Sequence, residues 1–146
     1  MSDFNDLEGF HALLTLPVLW GDMDAFSHVN STRYFCWMEA SRIAYLELVG
    51  MGESMQQSGW GPILAAANCN YRRQVTYPDT IFVGARVREV GRSSVAIEHR
   101  LLSKQLGMIC AEGESKIVMF DYNNQQPMRV TDEIRAAIDA MQSSGN

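Results

Sequence analysis

The segment from Ser31 to Val49 constrains the fold more than any other part of the chain. Asn30 or Ser31 can cap a helix N-terminus, and Gly50 suits the position just past a helix C-terminus. Between them, Tyr34, Phe35, Trp37, Met38, Ala40, Ile43, Ala44, Leu46, Leu48 and Val49 cover most of the helix circumference. A surface helix shows one apolar stripe, whereas a helix that is apolar nearly all round is buried. No apolar run is long enough to span a bilayer. Something in the same domain must therefore wrap this helix.

The wrapping material reads as β-structure. Residues 11–20 form an extended segment in which Pro17 predicts an edge position. Residues 62–77 carry a run of apolar and small residues. Residues 80–90 place Ile81, Val83, Ala85 and Val87 on one face, and Gly91-Arg92 reads as a tight turn. Residues 93–102 align Val95, Ile97, His99 and Leu101, and Gly107 marks another turn. Residues 108–120 align Ile109, Ala111, Gly113, Ser115, Ile117 and Met119, with small residues at the centre where a helix can approach closely. Thr131 caps a last helix running to Met141, with Asp132 and Glu133 in its first turn. The expected order is a strand, a long buried helix, four strands in meander and a short helix. That is an α+β chain whose antiparallel sheet curves around one helix, the hotdog arrangement. Residues 1 to about 10 read as a mobile lead-in and residues 143–146 as a frayed tail.

At 146 residues the chain fits a single domain, 1–146, able to bury a core without disulfides or metal. A net charge of −5 argues against a nucleic-acid partner. Cys36, Cys69 and Cys110 are odd in number and form no CxxC pair, so they read as buried free thiols rather than ligands or bridges. The acidic N-terminus lacks the apolar core of a signal peptide. A cytoplasmic protein with no membrane partner is expected.

The chemistry concentrates in Gly21–Asn30, between the first strand and the helix. Asp22 and Asp24 lie two apart, with His28 and Asn30 following. A carboxylate can act as nucleophile or general base. A helix N-terminus beginning at Ser31 offers unpaired N–H groups to a carbonyl oxygen that becomes negative. Asp22 reads as a loop residue bonding its own backbone. A metal site from Asp22, Asp24 and His28 lacks a further clustered ligand, and none is expected. His99 reads as a core histidine. Glu39 and Arg42, three apart on the helix, can pair. Tyr34, Trp37 and Tyr45 read as core, and Trp60 as a residue of a flexible segment lining an acyl pocket. Arg72-Arg73 and the turn residue Arg92 read first as solvated charges.

The stretch from Trp20 to Gly50 resembles the signature region of the 4-hydroxybenzoyl-CoA thioesterase-like family of hotdog proteins. It carries D-x-D-x-x-x-H-V-N followed by an aromatic-rich helix with E-x-x-R, here Glu39 and Arg42. Acyl-ACP thioesterases share a related H-V-N element. The resemblance implies an acyl-CoA thioesterase in which Asp24 is the catalytic carboxylate. The N–H near Ser31 polarises the thioester carbonyl, and His28 and Asn30 orient substrate or carboxylate. Many members carry a second Asn or a Tyr-bearing variant near the helix start, where this chain has Ser31-Thr32-Arg33. The resemblance also implies CoA phosphate contacts at Arg72, Arg73, Arg92 and Ser93, no cofactor besides the CoA of the substrate, and a homodimer or homotetramer with active sites between subunits. Two rival readings are a hotdog hydratase or dehydratase on acyl-CoA or acyl-ACP, and a non-catalytic acyl-CoA-binding module.

Overall fold

The computed structural model describes residues 6–52 and 58–143. Strand β1 (His11–Val18) is followed by one turn of 3-10 helix at Trp20–Asp22 and by helix α1 (Ser31–Leu48). Strands β2 (Trp60–Tyr71), β3 (Asp79–Val90), β4 (Ser94–Ser103) and β5 (Met108–Asp121) come next. The short β6 (Gln126–Pro127) and helix α2 (Asp132–Ser143) complete the chain. The strands form one sheet in the order β1-β3-β4-β5-β2, with β6 paired to β5 and every pairing antiparallel. This is the hotdog fold.

The period-2 pattern orients the strands as expected. Ile81, Val83 and Ala85 of β3, Val95, Ile97, His99 and Leu101 of β4, and Ala111, Ser115, Ile117 and Met119 of β5 are all buried. Pro17 sits on β1, which is an edge strand. At the centre of β5, a Cβ added to Gly113 would lie 2.5 Å from Met38 Sδ of α1 and closer still to the Asn68 carbonyl of β2. The missing side chain is what lets helix and sheet meet there.

Several expectations are corrected. The four strands are not one meander. Only β3-β4-β5 runs in sequence, whereas β2 pairs with β5 at the far edge from β1, so the chain crosses the sheet between Tyr71 and Asp79. Period-2 patterning sets which face a strand buries, not which neighbour it takes. The strand expected over 62–77 ends at Tyr71. Helix α1 is not wrapped all round. Tyr34, Trp37, Met38, Ser41, Tyr45 and Leu46 are buried, but Phe35, Ile43 and Leu48 are exposed, because one sheet covers one side of a helix. The lead-in is anchored from Leu7: Leu7 and Phe10 are buried, and Phe10 lies between the guanidinium groups of Arg86 and Arg100, 4.3 and 4.7 Å from its ring centre. Residues 1–5 of that lead-in and 144–146 of the tail lie outside the described residues, and Ser143 ends α2. Trp60 opens β2 and packs against the apolar cluster formed with α2. Cys36 is exposed rather than buried.

The interior divides along α1. Around its first half, Val18, Val29, Tyr34, Trp37, Met38, Ile81, Val83 and Leu101 form one cluster. Around its second half, Tyr45, Leu46 and Val49 join Ile97, Ile117 and the α2 residues Ile134 and Ile138 in another. Thr131 Oγ1 accepts the Ile134 N–H at 3.2 Å and starts α2 where its apolar stripe meets that cluster.

Candidate active site

The loop before α1 is built by its own backbone. Met23 bridges to Val29, the Asp24 N–H donates to the His28 carbonyl at 2.8 Å, and the Ser27 N–H to the Asp24 carbonyl at 3.1 Å. The Val29 N–H reaches the Val75 carbonyl at 2.8 Å and fastens this excursion to the segment after β2. Ser27 takes φ 66°, a left-handed conformation more natural to Gly, Asn or Asp.

The two aspartates have separate duties. Asp22 is buried; its Oδ2 accepts the Leu19 N–H at 2.8 Å and its Oδ1 lies 3.4 Å from Arg33 Nε. It is structural, as its loop position suggested. Asp24 is exposed. Its Oδ1 accepts the Phe26 N–H at 2.8 Å, with the His28 N–H at 3.5 Å. One carboxylate oxygen is thus held by the loop, and Oδ2 accepts no hydrogen bond from the described residues.

Asp24 and Ser31 share a cleft of about 510 Å³, lined also by Phe26, His28, Tyr34, Tyr71 and Arg73. The Ser31 N–H, first of the helix, precedes any intrahelical acceptor, and the helix dipole places partial positive charge there. Asn30 is the N-cap: its Oδ1 accepts both the Thr32 N–H and the Thr32 hydroxyl at 2.9 Å, and it does not line the cleft. The Tyr71 hydroxyl donates to the Ser31 carbonyl at 3.2 Å, and its ring meets Tyr34 edge-on at 4.9 Å. Burial pushes the Tyr34 phenol well above its ordinary value, so that hydroxyl stays protonated.

The arginines separate. Arg73 lines the cleft, and its Nη1 donates to the Arg72 carbonyl at 3.0 Å. Arg72 does not line it; its Nε lies 3.5 Å from Glu112. Arg92 and Ser93 occupy the β3–β4 turn, at the opposite end of the sheet from Asp24. Sequence reasoning missed Phe26 and Tyr71. Tyr71 had a readable signal, an aromatic closing a strand directly before the arginine pair. Among the described residues no group of three or more His, Cys, Asp or Glu side chains is close enough to hold a metal ion. Among the described residues no helix is long and apolar enough to cross a membrane.

A second polar group lies deeper along α1. Arg42 Nη1 donates to Ser115 Oγ at 3.0 Å, and Ser115 Oγ lies 2.8 Å from His99 Nε2. Arg42 is 3.9 Å from Glu39, a loose pair in which the arginine side chain is only 11% exposed and the glutamate 59%. His99 is buried, and desolvation, with the Arg42 charge adding to it, pulls its pKa down to about 3.

These features set an exposed carboxylate beside a helix N-terminus on a hotdog frame, and comparison with known proteins places the chain. Residues 18–138 match the model of the thioesterase-like superfamily, and the chain belongs to it. It is an enzyme of the thioesterase class. The chain is 22% identical over 119 residues to the long-chain acyl-CoA thioesterase FadM of Escherichia coli, covering 82% of this chain and 90% of that one. It is 34% identical to the PA2801 protein of Pseudomonas aeruginosa, with a TM-score of 0.76 over 86% of this chain and 96% of that one. A Thermus thermophilus thioesterase, solved with coenzyme A and Zn, is 27% identical, with a TM-score of 0.80 over 92% of this chain and 96% of that one.

Proposed function

We propose that this protein hydrolyses acyl-CoA thioesters to the free acid and CoA. Asp24 is the nucleophile or general base, and the N-terminus of α1 at Ser31 receives the thioester carbonyl. The observation that carries the reading is an exposed carboxylate, anchored through Oδ1 at 2.8 Å, in the same cleft as the first N–H of a helix. The carbonyl oxygen gains negative charge as the tetrahedral intermediate forms, and one well-placed donor is worth about 10²–10³ in rate. Water attack assisted by Asp24, or direct attack by it, releases the CoA thiolate. His28 lines the cleft beside Asp24, and the Asn30 cap fixes the helix end against which the carbonyl docks.

No resident cofactor is needed for this chemistry. Arg73 is the cleft residue best placed for a CoA phosphate. The working unit is a homodimer joined through β2, or a tetramer of such dimers. The open edge of β2 exposes Ile63 and Leu64, beside exposed Phe35 and Ile43 of α1. Two β2 edges pairing antiparallel about a two-fold would bring the Trp60 end of one strand beside the Tyr71 end of the other. Arg92 and Ser93 of the partner subunit would then stand at the same end of the joined sheet as Asp24, about three strand spacings (~15 Å) away. CoA could span that distance. Three unbridged thiols fit a cytoplasmic location.

The test is thiol release from a panel of aliphatic and aromatic acyl-CoAs. Turnover by the wild-type chain and its loss in Asp24→Asn, with the fold intact, is the expected result. Hydration of an enoyl thioester without free thiol would replace this reading with the hydratase one. Tight binding without release at any chain length would replace it with the binding module.

A further inference from the structure

Arg42, Ser115 and His99 form a buried polar group that the reaction at Asp24 does not use. Arg42 only donates, so Ser115 Oγ accepts from it at 3.0 Å, while the 2.8 Å contact between Ser115 Oγ and His99 Nε2 runs in the direction set by the imidazole tautomer. The buried His99 Nδ1 has no partner among the described residues. Among the described residues Arg42 has one hydrogen bond to protein, to Ser115 Oγ, and a carboxylate no nearer than 3.9 Å. A guanidinium has five N–H donors and no acceptor, so the hydrogen-bonding capacity that Arg42 has left over, beside the groove it lines, is for an acceptor.

Arg42 and Ser115 face a groove of about 190 Å³ between α1 and β2, walled by Phe35, Met38, Leu64 and Ala67. The groove lies further along the same α1–β2 seam as the catalytic cleft. Ser31 and Tyr34 line the cleft with Tyr71, and one turn further on Phe35 and Met38 line the groove with Ala67. Arg42 is eleven residues past Ser31, about 16 Å along a helix, and its side chain leans back toward the cleft.

We propose that this groove takes the acyl chain and that its floor is a subsite for an oxygen at the far end of that chain. The preferred substrate is a medium-length acyl group bearing a terminal hydrogen-bond acceptor, a hydroxyl being the simplest. Glu39 already offsets the Arg42 charge, so a neutral acceptor suffices. The inference rests on the thioesterase reading above.

The experiment measures thiol release by the full chain from octanoyl-CoA and dodecanoyl-CoA, each beside its terminally hydroxylated counterpart. The expected result is a kcat/KM ratio of about tenfold in favour of the hydroxylated member at one of the two lengths, the worth of one net hydrogen bond. Arg42→Met should bring that ratio close to one. Ser115→Ala, a smaller change to the core, should lower it while the chain stays folded. Equal efficiency within both pairs, with release abolished in Asp24→Asn, would overturn the subsite and leave the thioesterase reading standing. An unchanged ratio in both folded variants would also overturn it. No release from any of the four substrates would overturn both.

Discussion

The two ends of α1 are built for opposite purposes. At its C-terminal end Val49 is buried, Gly50 turns the chain at φ 91°, and Ile134 and Ile138 of α2 close over Tyr45 and Leu46. Tyr45 is fully buried and its hydroxyl donates to Gln142 Oε1 of α2 at 2.5 Å. At its N-terminal end no second helix arrives. An eight-residue loop, residues 23–30, held at Val75, leaves the first turn beside a cleft of about 510 Å³. The same helix is sealed where its dipole would repel a developing oxyanion and open where it would attract one. Stability and chemistry are thus assigned to different halves of one element.

Substitutions at the two ends should separate these duties. The largest effect is expected at the open end: Asp24→Asn should lower thiol release by about 10²–10⁴ while leaving the urea midpoint nearly unchanged. A matching loss of stability would show that the carboxylate is structural. At the sealed end, Ile138→Ala should cost about 2–5 kcal/mol in urea denaturation and leave kcat/KM of the folded fraction close to wild type. Lost turnover in that folded fraction would couple the ends and break the comparison.

His99 sharpens it further, because it sits between the ends. Its folded pKa of about 3 lies below the ordinary 6.5. Between those values the unfolded chain binds a proton that the folded chain refuses. Stability should therefore fall as pH is lowered through that window, by up to about 1.4 kcal/mol per pH unit. Urea midpoints for wild type and His99→Asn across the window should show a shallower slope in the variant. The smallest effect is expected from Asn30→Ala, which removes the acceptor for the Thr32 N–H and hydroxyl. It should cost about 1 kcal/mol, with a modest drop in kcat as the first turn loosens.

Much of this was legible in the residue pattern, and the failures share a cause. Alternation in β3, β4 and β5 named their buried faces, and Asn30 and Thr131 capped their helices as read. The carboxylate loop ahead of the helix stood out because Asp24, His28 and Asn30 lie close in sequence. Contacts between distant segments did not stand out. The crossing from β2 to β3, the approach of Tyr71 to Ser31 forty residues away, and the Arg42–Ser115–His99 group each join segments whose local patterns are silent about one another. The apolar circumference of α1 gave a half-true signal: it announced burial, while one chain covers only the side facing its own sheet.

Strand β2 carries a final consequence. From Trp60 to Tyr71 it has no charged residue, and exposed Ile63 and Leu64 lead into three exposed alanines along an unpaired sheet edge. That composition is what an edge strand must avoid if it is to stay solitary, since it can template the addition of any similar strand. Pro62 near one end and Arg72-Arg73 directly past the other act as gatekeepers that hinder an endless stack. Nothing comparable protects the middle. For a chain with such an edge, dilution and crowding are chemical variables, and resistance to aggregation depends on what occupies that edge.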